Sequence, residues 1–384
     1  RARCRARLKT LSDARNPSTA SAIAREVIRL YNSGGGGLVK RLLCLVLALC
    51  ALLSYARAES KYSTVYFDLF DTVTTLTGYA ASQQEFDRIA EEARAELWRL
   101  HQIFDLYNGY EGVANVWLLN REAAKAPVAI GEELFAVLRL ALDWQPRLGE
   151  SVNIAMGSVL SLWHDARARA EADPEHASAP EETELRAAAA HMDGSCIQLD
   201  EAARTVYFTD PALQLDLGAV AKGYAAEWMA GWLHERMPSF LLSLGGNVRA
   251  GDAPLDGRDG WNVSIQHPDY ADQPEGWQRA LAILRVRDLS VVTSGDYQRY
   301  FWVNGTRLHH IISPQTLWPA AANRSVTILC EDSALADLLS TAVFILPYEQ
   351  GRALVDGLDG VEAVWFTAQG ELRMTDGARA LQIQ

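Results

Sequence analysis

The sequence predicts an α+β protein: an antiparallel or mixed sheet with packed helices, in one compact body from about Glu59 to Gln384. Three observations predict it. Short segments rich in alternating apolar residues, bounded by Gly, Asp or Pro, recur at 196–199, 205–209, 240–244, 261–267 and 288–295. Longer segments with apolar residues three and four apart lie among them, as amphipathic helices require. Half of the 384 residues are hydrophobic and 11 are Trp, enough for a sizeable core, and no internal repeat is visible.

The elements follow in order. Residues 63–79, rich in β-branched and aromatic side chains, predict one or two strands. Gln84–Tyr107 predicts a helix whose core face is Phe86, Ile89, Ala93, Leu97, Leu100 and Phe104, with His101 at the surface or boundary. Gly131–Trp144 predicts a second helix through Leu134, Val137, Leu138 and Ala141. Ser151–Trp163 reads as a small-residue turn leading into a helix, and 166–190, charged and Ala-rich, as a solvated linker or exposed helix. Residues 196–209 predict a hairpin turning at 200–204.

The stretch 213–233 organises the rest. Leu213, Leu215 and Leu217 predict a short strand that breaks at Gly218; Val220, Ala221, Tyr224, Ala225, Trp228 and Trp232 predict the helix that follows. A strand that ends in Gly and runs into a helix can present backbone N–H groups to phosphate. Asp216 precedes the turn, and Lys222 in the first helical turn suits a bound anion; the alternative is a connection with a surface lysine. Paired Gly245 and Gly246 after the apolar 240–244 let a ligand approach backbone closely. Arg299 is a candidate for phosphate or for a core carboxylate, and Tyr300, Phe301 and Trp302 are expected in the core. Asp332 or Ser333 is expected to cap a largely buried helix. On it, Asp337 and Thr341 lie four apart and share a face. A carboxylate in so apolar a helix needs a partner. A hard cation such as Mg²⁺, completed by substrate phosphate, is the economical one; a carboxylate serving its own helix's dipole is the alternative.

Charge and the chain ends bound the function. The net charge is −12, but residues 1–58 are basic and the remainder carries −21. So acidic a body excludes nucleic acid as a natural partner. Lys40-Arg41, the apolar run 42–53 and Ala56-Arg57-Ala58 predict a signal peptide over 39–58, cleaved after Ala58. The run is short for a membrane span, and a lipoprotein form would use Cys50. Residues 1–38 are Arg- and Ser-rich, end in Gly34–Gly37 and lack Met; they are expected to be non-native upstream translation or disordered, with translation starting at Val39. The mature chain is expected over 59–384, exported, periplasmic, either soluble or membrane-anchored. Cys196 and Cys330 alone remain after Ala58, too few for a disulfide framework, and no C-x-x-C metal site exists.

Five ordered segments carry a family resemblance: DLGAVAKGYA from Asp216, SLGGN at Ser243–Asn247, TSGDYQRYF at Thr293–Phe301, HHIISP at His309–Pro314 and ADLLSTAVFIL at Ala336–Leu346. Together they resemble the ApbE family, the FAD:protein FMN transferases, and the resemblance extends weakly back to Phe67. It implies that family's α+β architecture. It implies a transferase that moves FMN from FAD to a Ser or Thr hydroxyl of an exported or membrane acceptor protein, with Mg²⁺, releasing AMP. His310 takes the motif's histidine position as catalytic base. The implied metal ligands are the Ala219 carbonyl, Asp337 and Thr341, with Ser340 beside them. Asp216 and Lys222 are implied to contact FAD, Ile311 through its backbone, and Tyr107, Phe70, Ala155, Met156 and Gly157 to line the flavin. Two departures stand out: Ser313 where the family has Asp, and Phe70-Asp71 where it has Met-Gly. Two other classes remain open, an FAD pyrophosphatase giving FMN and AMP, and a non-catalytic exported flavin-binding protein. No G-x-G-x-x-G fingerprint is present.

Overall fold

Strand segments with one apolar face pair in chain order as hairpins, and the longest-range pairing builds the main sheet. The computed structural model describes residues 59–270 and 279–383, so the expected signal peptide and the residues before it lie outside the described residues. The strands are β1 Ser60–Leu69, β2 Thr72–Ala80, β3 Val128–Ala129, β4 Ile197–Asp200, β5 Thr205–Phe208, β6 Phe240–Leu244, β7 Asn247–Ala250, β8 Trp261–Gln266, β9 Ala280–Val286, β10 Leu289–Gly295, β11 Tyr300–Val303, β12 Thr306–His309, β13 Asn323–Cys330, β14 Glu362–Thr367 and β15 Leu372–Met374. The helices are α1 Gln83–Phe104, α2 Val116–Glu122, α3 Glu132–Leu148, α4 Gly157–Ala172, α5 Glu182–Ala189, α6 Ala221–His234, α7 Ser333–Ile345, α8 Tyr348–Asp356 and α9 Asp376–Ala380. Residues 61–79 and 86–383 form one body. Residues 80–85 hold a turn of their own, in which Ser82 Oγ accepts the Glu85 N–H and Glu85 Oε2 accepts the Ala81 N–H, as in a helix capping box.

The main sheet has eight strands in the order β1-β2-β6-β7-β10-β13-β14-β15. Its central pairs are antiparallel, including β10 with β13 in the register Ser294 opposite Val326. Helices α6 and α7 cover one face, α6 over β6 and β7, α7 over β10 and β13. The β8–β9 hairpin covers the other. In β8 the expected alternation holds: Trp261, Val263 and Ile265 are buried against Leu284, Val291, Leu329 and Phe366, while Asn262, Ser264 and Gln266 are exposed. Each such large apolar side chain contributes on the order of 1.5–3 kcal/mol when fully buried. All six expected core positions of α1 are buried, and Asp332 caps α7 by accepting the Ala334 and Leu335 N–H groups.

Three expectations are corrected. Leu213–Leu217 forms no strand: its leucines are buried and it makes an isolated parallel bridge, Gln214 opposite Met156, with the Asp216 N–H donating to Ile154 and the Gly157 N–H to Gln214, while on Leu215 the side-chain amide of Asn120 accepts from the N–H and donates to the carbonyl. The segment 166–190 is no solvated linker. α4 runs through it to Ala172, and Ala166, Ala170 and Leu185 pack with Trp163 and Phe301. Of the aromatic triplet, Phe301 is in that core, whereas Trp302 is 52% exposed on the outer side of β11. Both cysteines after Ala58 are unpaired, and burial pushes the Cys330 thiol up to about 12.

Candidate active site

A cleft of about 820 Å³ opens where the β1–β2 turn, the start of α6, Gly245-Gly246, the end of β10, the segment after β12 and one face of α7 meet. Phe70, Tyr107, Met156, Asp216, Ala219 and Lys222 line it, as do His310, Ile311, Asp337 and Thr341. Residues scattered from 70 to 341 are thus brought to one wall. Ala155, Gly157 and Ser340 are not brought to it. Ala155 is fully buried, and Gly157 backs onto the carbonyls of Gln214 and Leu215 and donates its N–H to Gln214. Ser340 is also fully buried, its hydroxyl donating to the Asp337 carbonyl behind the cleft lining. Ile311 lines the cleft; its N–H donates to His309 Nδ1 and its carbonyl accepts from Ala320, which leaves that carbonyl a second lone pair for the expected backbone contact.

The seam between α6 and α7 fixes the cation candidate. Gly223 lies so close to α7 that a Cβ would sit 2.2 Å from the Ser333 carbonyl oxygen and 2.5 Å from Asp337 Cβ. That approach lets the Gly223 N–H donate to Asp337 Oδ2 at 2.8 Å. Tyr224, one residue on, donates in the helical manner to Val220. The Ala219 carbonyl therefore loses its helical donor, and among the described residues none replaces it. Asp337 is 3% exposed, and the Lys222 ammonium stands 3.8 Å from its Oδ2 while donating to the Gly218 carbonyl. The buried carboxylate thus already has an N–H and a cation as partners, before any metal is considered. Among the described residues no group of three His, Cys, Asp or Glu forms a metal cage. What the seam offers is one carboxylate, one released carbonyl and the Thr341 hydroxyl, all hard oxygens. That donor set fits Mg²⁺ completed by substrate phosphate and water, and fits a soft or borderline metal poorly. At the turn itself Asp216 Oδ1 accepts the Gly218 N–H. Enclosure in the cleft raises its carboxyl above the usual value, opposed by that N–H, Lys222, Arg299 and His164.

The two adjacent histidines differ. His309 is buried; its Nε2 donates to the Ala320 carbonyl and its Nδ1 accepts the Ile311 N–H, so both nitrogens are engaged in holding the turn. His310 is exposed to the cleft, and its Nδ1 faces the Arg299 carbonyl at 3.3 Å. A carbonyl only accepts, so Nδ1 carries the proton and Nε2 keeps its lone pair. The enclosing walls first, then Arg299, His309 and Lys222, lower the imidazole below its ordinary 6.5, although solvent reaches the ring from the cleft. It is neutral at pH 7. Ser313, standing where the family resemblance expects Asp, turns its hydroxyl to Gln315 and closes its own 313–318 turn.

The cleft rim is built differently. Phe70 and Asp71 both have positive φ, 53° and 50°, the signature of a tight two-residue hairpin turn that Asn-Gly usually fills. The Arg299 guanidinium donates to both their carbonyls, and His101 Nδ1 accepts the Phe70 N–H. Arg299 pairs with no carboxylate among the described residues, so its charge stays available to the cleft. The Tyr107 ring packs tilted against His164, centroids 4.8 Å apart, its hydroxyl 3.3 Å from Nδ1, and its phenol is raised to about 12 by burial first and then by Asp216. Asn120 and His164 escaped the sequence reading, which gave His101 only as a surface or boundary residue and Ser294 only as part of the TSGDYQRYF segment. Each is a single polar residue whose partner lies in another element; Arg299 was a candidate from the sequence, and of its two expected partners no core carboxylate is found among the described residues.

The chain is similar to known proteins across most of this body. Residues 70–365 match the model of the ApbE family. A protein of Treponema pallidum (strain Nichols) named FAD:protein FMN transferase is 35% identical over 273 residues, covering 67% of this chain and 72% of that protein. One from Klebsiella pneumoniae (strain 342) with the same name is 29% identical over 289 residues, 72% of this chain and 85% of that protein. Among solved structures, the ApbE protein of Thermotoga maritima superposes with a TM-score of 0.72 at 24% identity, covering 85% of this chain and all of that one. The flavin transferase ApbE of Vibrio cholerae gives 0.69 at 20% identity over 84% of this chain. At these identities the structural likeness establishes the α+β fold.

Proposed function

The chain belongs to the ApbE family, and from that premise we propose that it is an FAD:protein FMN transferase that moves FMN from FAD onto a Ser or Thr hydroxyl of an acceptor protein. The observation that carries the reading is the pairing in one cleft of a neutral, Nδ1-anchored His310 with the oxygen set of Asp337, Thr341 and the Ala219 carbonyl.

The acceptor oxygen attacks the phosphorus on the FMN side of the FAD pyrophosphate. His310 Nε2 takes the hydroxyl proton, the bond to the bridging oxygen breaks, and AMP leaves with that electron pair. Phosphoryl chemistry of this kind asks the protein mainly for position and charge neutralisation. Lys222 and Arg299 supply fixed positive charge beside the pyrophosphate. Gly245, at φ 54°, has no room for a Cβ beside Thr72 and keeps backbone open to the ligand. Phe70, Tyr107 and Met156 are the surfaces proposed for the flavin ring. Mg²⁺ bound by Asp337, Thr341 and the Ala219 carbonyl would neutralise the charge that develops on the departing phosphate.

The proposed setting is extracytoplasmic, on the strength of the apolar run 42–53 and the Ala56–Ala58 cleavage pattern. No helix among the described residues is long and apolar enough to cross a membrane.

The test is incubation of the 59–384 form with FAD, Mg²⁺ and an acceptor fragment. A fluorescent band on a denaturing gel, a mass gain of one FMN and an equal yield of AMP are expected. AMP at the same rate without acceptor and with no labelled band would leave a pyrophosphatase, and tight FAD binding with neither product would leave a binding protein.

A further inference from the structure

Three hydroxyls behind the cation candidate form a directed chain. The Ser340 hydroxyl donates to the Asp337 carbonyl at 2.9 Å. A hydroxyl has one proton, so at its 2.8 Å contact with Ser294 the Ser340 oxygen can only accept, and Ser294 must donate. Ser294 then has only lone pairs left for Thr341, whose Oγ1 lies 3.5 Å away. That is the outer edge of hydrogen-bonding distance, so what the contact fixes is chiefly orientation. The consequence is directional: a hydrogen bond across this contact can run only from Thr341 to Ser294, which leaves the Thr341 lone pairs for the cleft.

We propose that Ser294 is the positioning residue of the cation site, acting through Thr341 to present that hydroxyl as an oxygen ligand and not as a donor. The proposal rests on the reading of Asp337 and Thr341 as cation ligands. A Thr hydroxyl free to rotate would spend part of its time with its proton toward the cation, which repels it. Ser294 removes that orientation. It is suited to the task because it sits at the end of β10, a central strand paired on both sides, and lines the cleft directly. Ser340, buried behind it, sets the direction of the whole chain by giving its own proton to the Asp337 backbone. The same three residues therefore link the backbone of the carboxylate ligand to the hydroxyl ligand. Outer groups that orient metal ligands in this way are worth about 10–100-fold in metal affinity.

The experiment measures Mn²⁺ as the probe for the hard-cation site, by loss of the free-ion electron paramagnetic resonance signal, on the 59–384 protein with FAD. Ser294→Ala is expected to weaken Mn²⁺ about 10-fold or more. FAD affinity in chelator should not change, a split that general loss of structure would not give. Ser294→Thr, which keeps the hydroxyl, should restore Mn²⁺ binding. Ser340→Ala frees Ser294 to turn its proton on Thr341 and should also weaken Mn²⁺, which keeps the proposal testable if Ser294→Ala does not fold. Mn²⁺ affinity unchanged in Ser294→Ala or in Ser340→Ala, while Asp337→Asn abolishes it, overturns the role of Ser294 and leaves the cation site standing. No Mn²⁺ binding by the parent protein overturns both.

Discussion

The α6–α7 seam and the cleft rim put functional groups into the same cavity by opposite means. At the seam, Asp337 is locked by a helix contact so tight that Gly223 admits no side chain, and its oxygen is tied to the backbone of another helix. At the rim, Phe70 and Asp71 are held by hydrogen bonds from Arg299 to carbonyls, and His310 hangs from the Arg299 carbonyl with its ring in the cleft. The seam couples chemistry to stability. The rim separates them, because its groups can be removed without opening the core.

The largest expected effect tests the rim. His310→Ala should lower FMN transfer by roughly 10²–10⁴-fold, the range for a lost general base, with thermal stability and FAD affinity unchanged. Its neighbour is the control: His309→Ala leaves the Ala320 carbonyl and the Ile311 N–H without partners and should cost on the order of 1–3 kcal/mol of stability per group. Equal loss of stability in both variants would erase the distinction.

Next is the seam. Asp337→Ala should reduce turnover about 10²–10³-fold, the usual loss for one preorganised electrostatic contact. It should also destabilise the fold, since the Gly223 N–H loses its acceptor. Gly223→Ala, which touches no substrate, should lower stability by roughly 1–3 kcal/mol through overpacking and lower Mg²⁺ response with it. Calorimetry beside an Mg²⁺ titration decides: a fully stable, fully active Gly223→Ala would mean the seam is not rigid.

A smaller effect is carried by pH. The folded-state pKa of His310 is depressed, so the unfolded chain binds the extra proton first as pH falls through its ordinary 6.5. Any stability His310 contributes is therefore present above that pH and declines below it. The base itself stays neutral, so the acid limb of kcat/KM should fall at a pH below 6.5. An acid limb above 6.5 that disappears in His310→Ala would contradict the assignment.

The smallest effect is at the turn. Asp71→Gly removes the side chain from a positive-φ position while Arg299 keeps its carbonyl partners, so stability should shift by less than about 1 kcal/mol. A larger loss in denaturant unfolding would show that the Asp71 carboxylate itself holds the rim.

Much of this was legible beforehand, for a physical reason. The 3-to-4 spacing of Phe86, Ile89, Ala93, Leu97, Leu100 and Phe104 can be satisfied only by burying that face, and all six are buried. Asp332 needs nothing beyond its own helix to cap it, and Asp337 and Thr341 share a wall because a helix of either environment puts residues four apart on one side. Local periodicity and local hydrogen bonding are properties of a short segment, and a short segment carries them wherever it is placed. The partners were not legible. Leu213–Leu217 has a strand's pattern, but it gets only one parallel bridge, to Met156, and the backbone of Leu215 is held by the amide of Asn120, 95 residues away. Asp337 called for a counter-group, and the tertiary structure answered with the Gly223 N–H from 114 residues away. His309 and His310 are the same residue type one position apart. Only the turn of the chain against Ala320 and Arg299 made one a structural post and left the other a free base, because an imidazole's role is set by what its two nitrogens face.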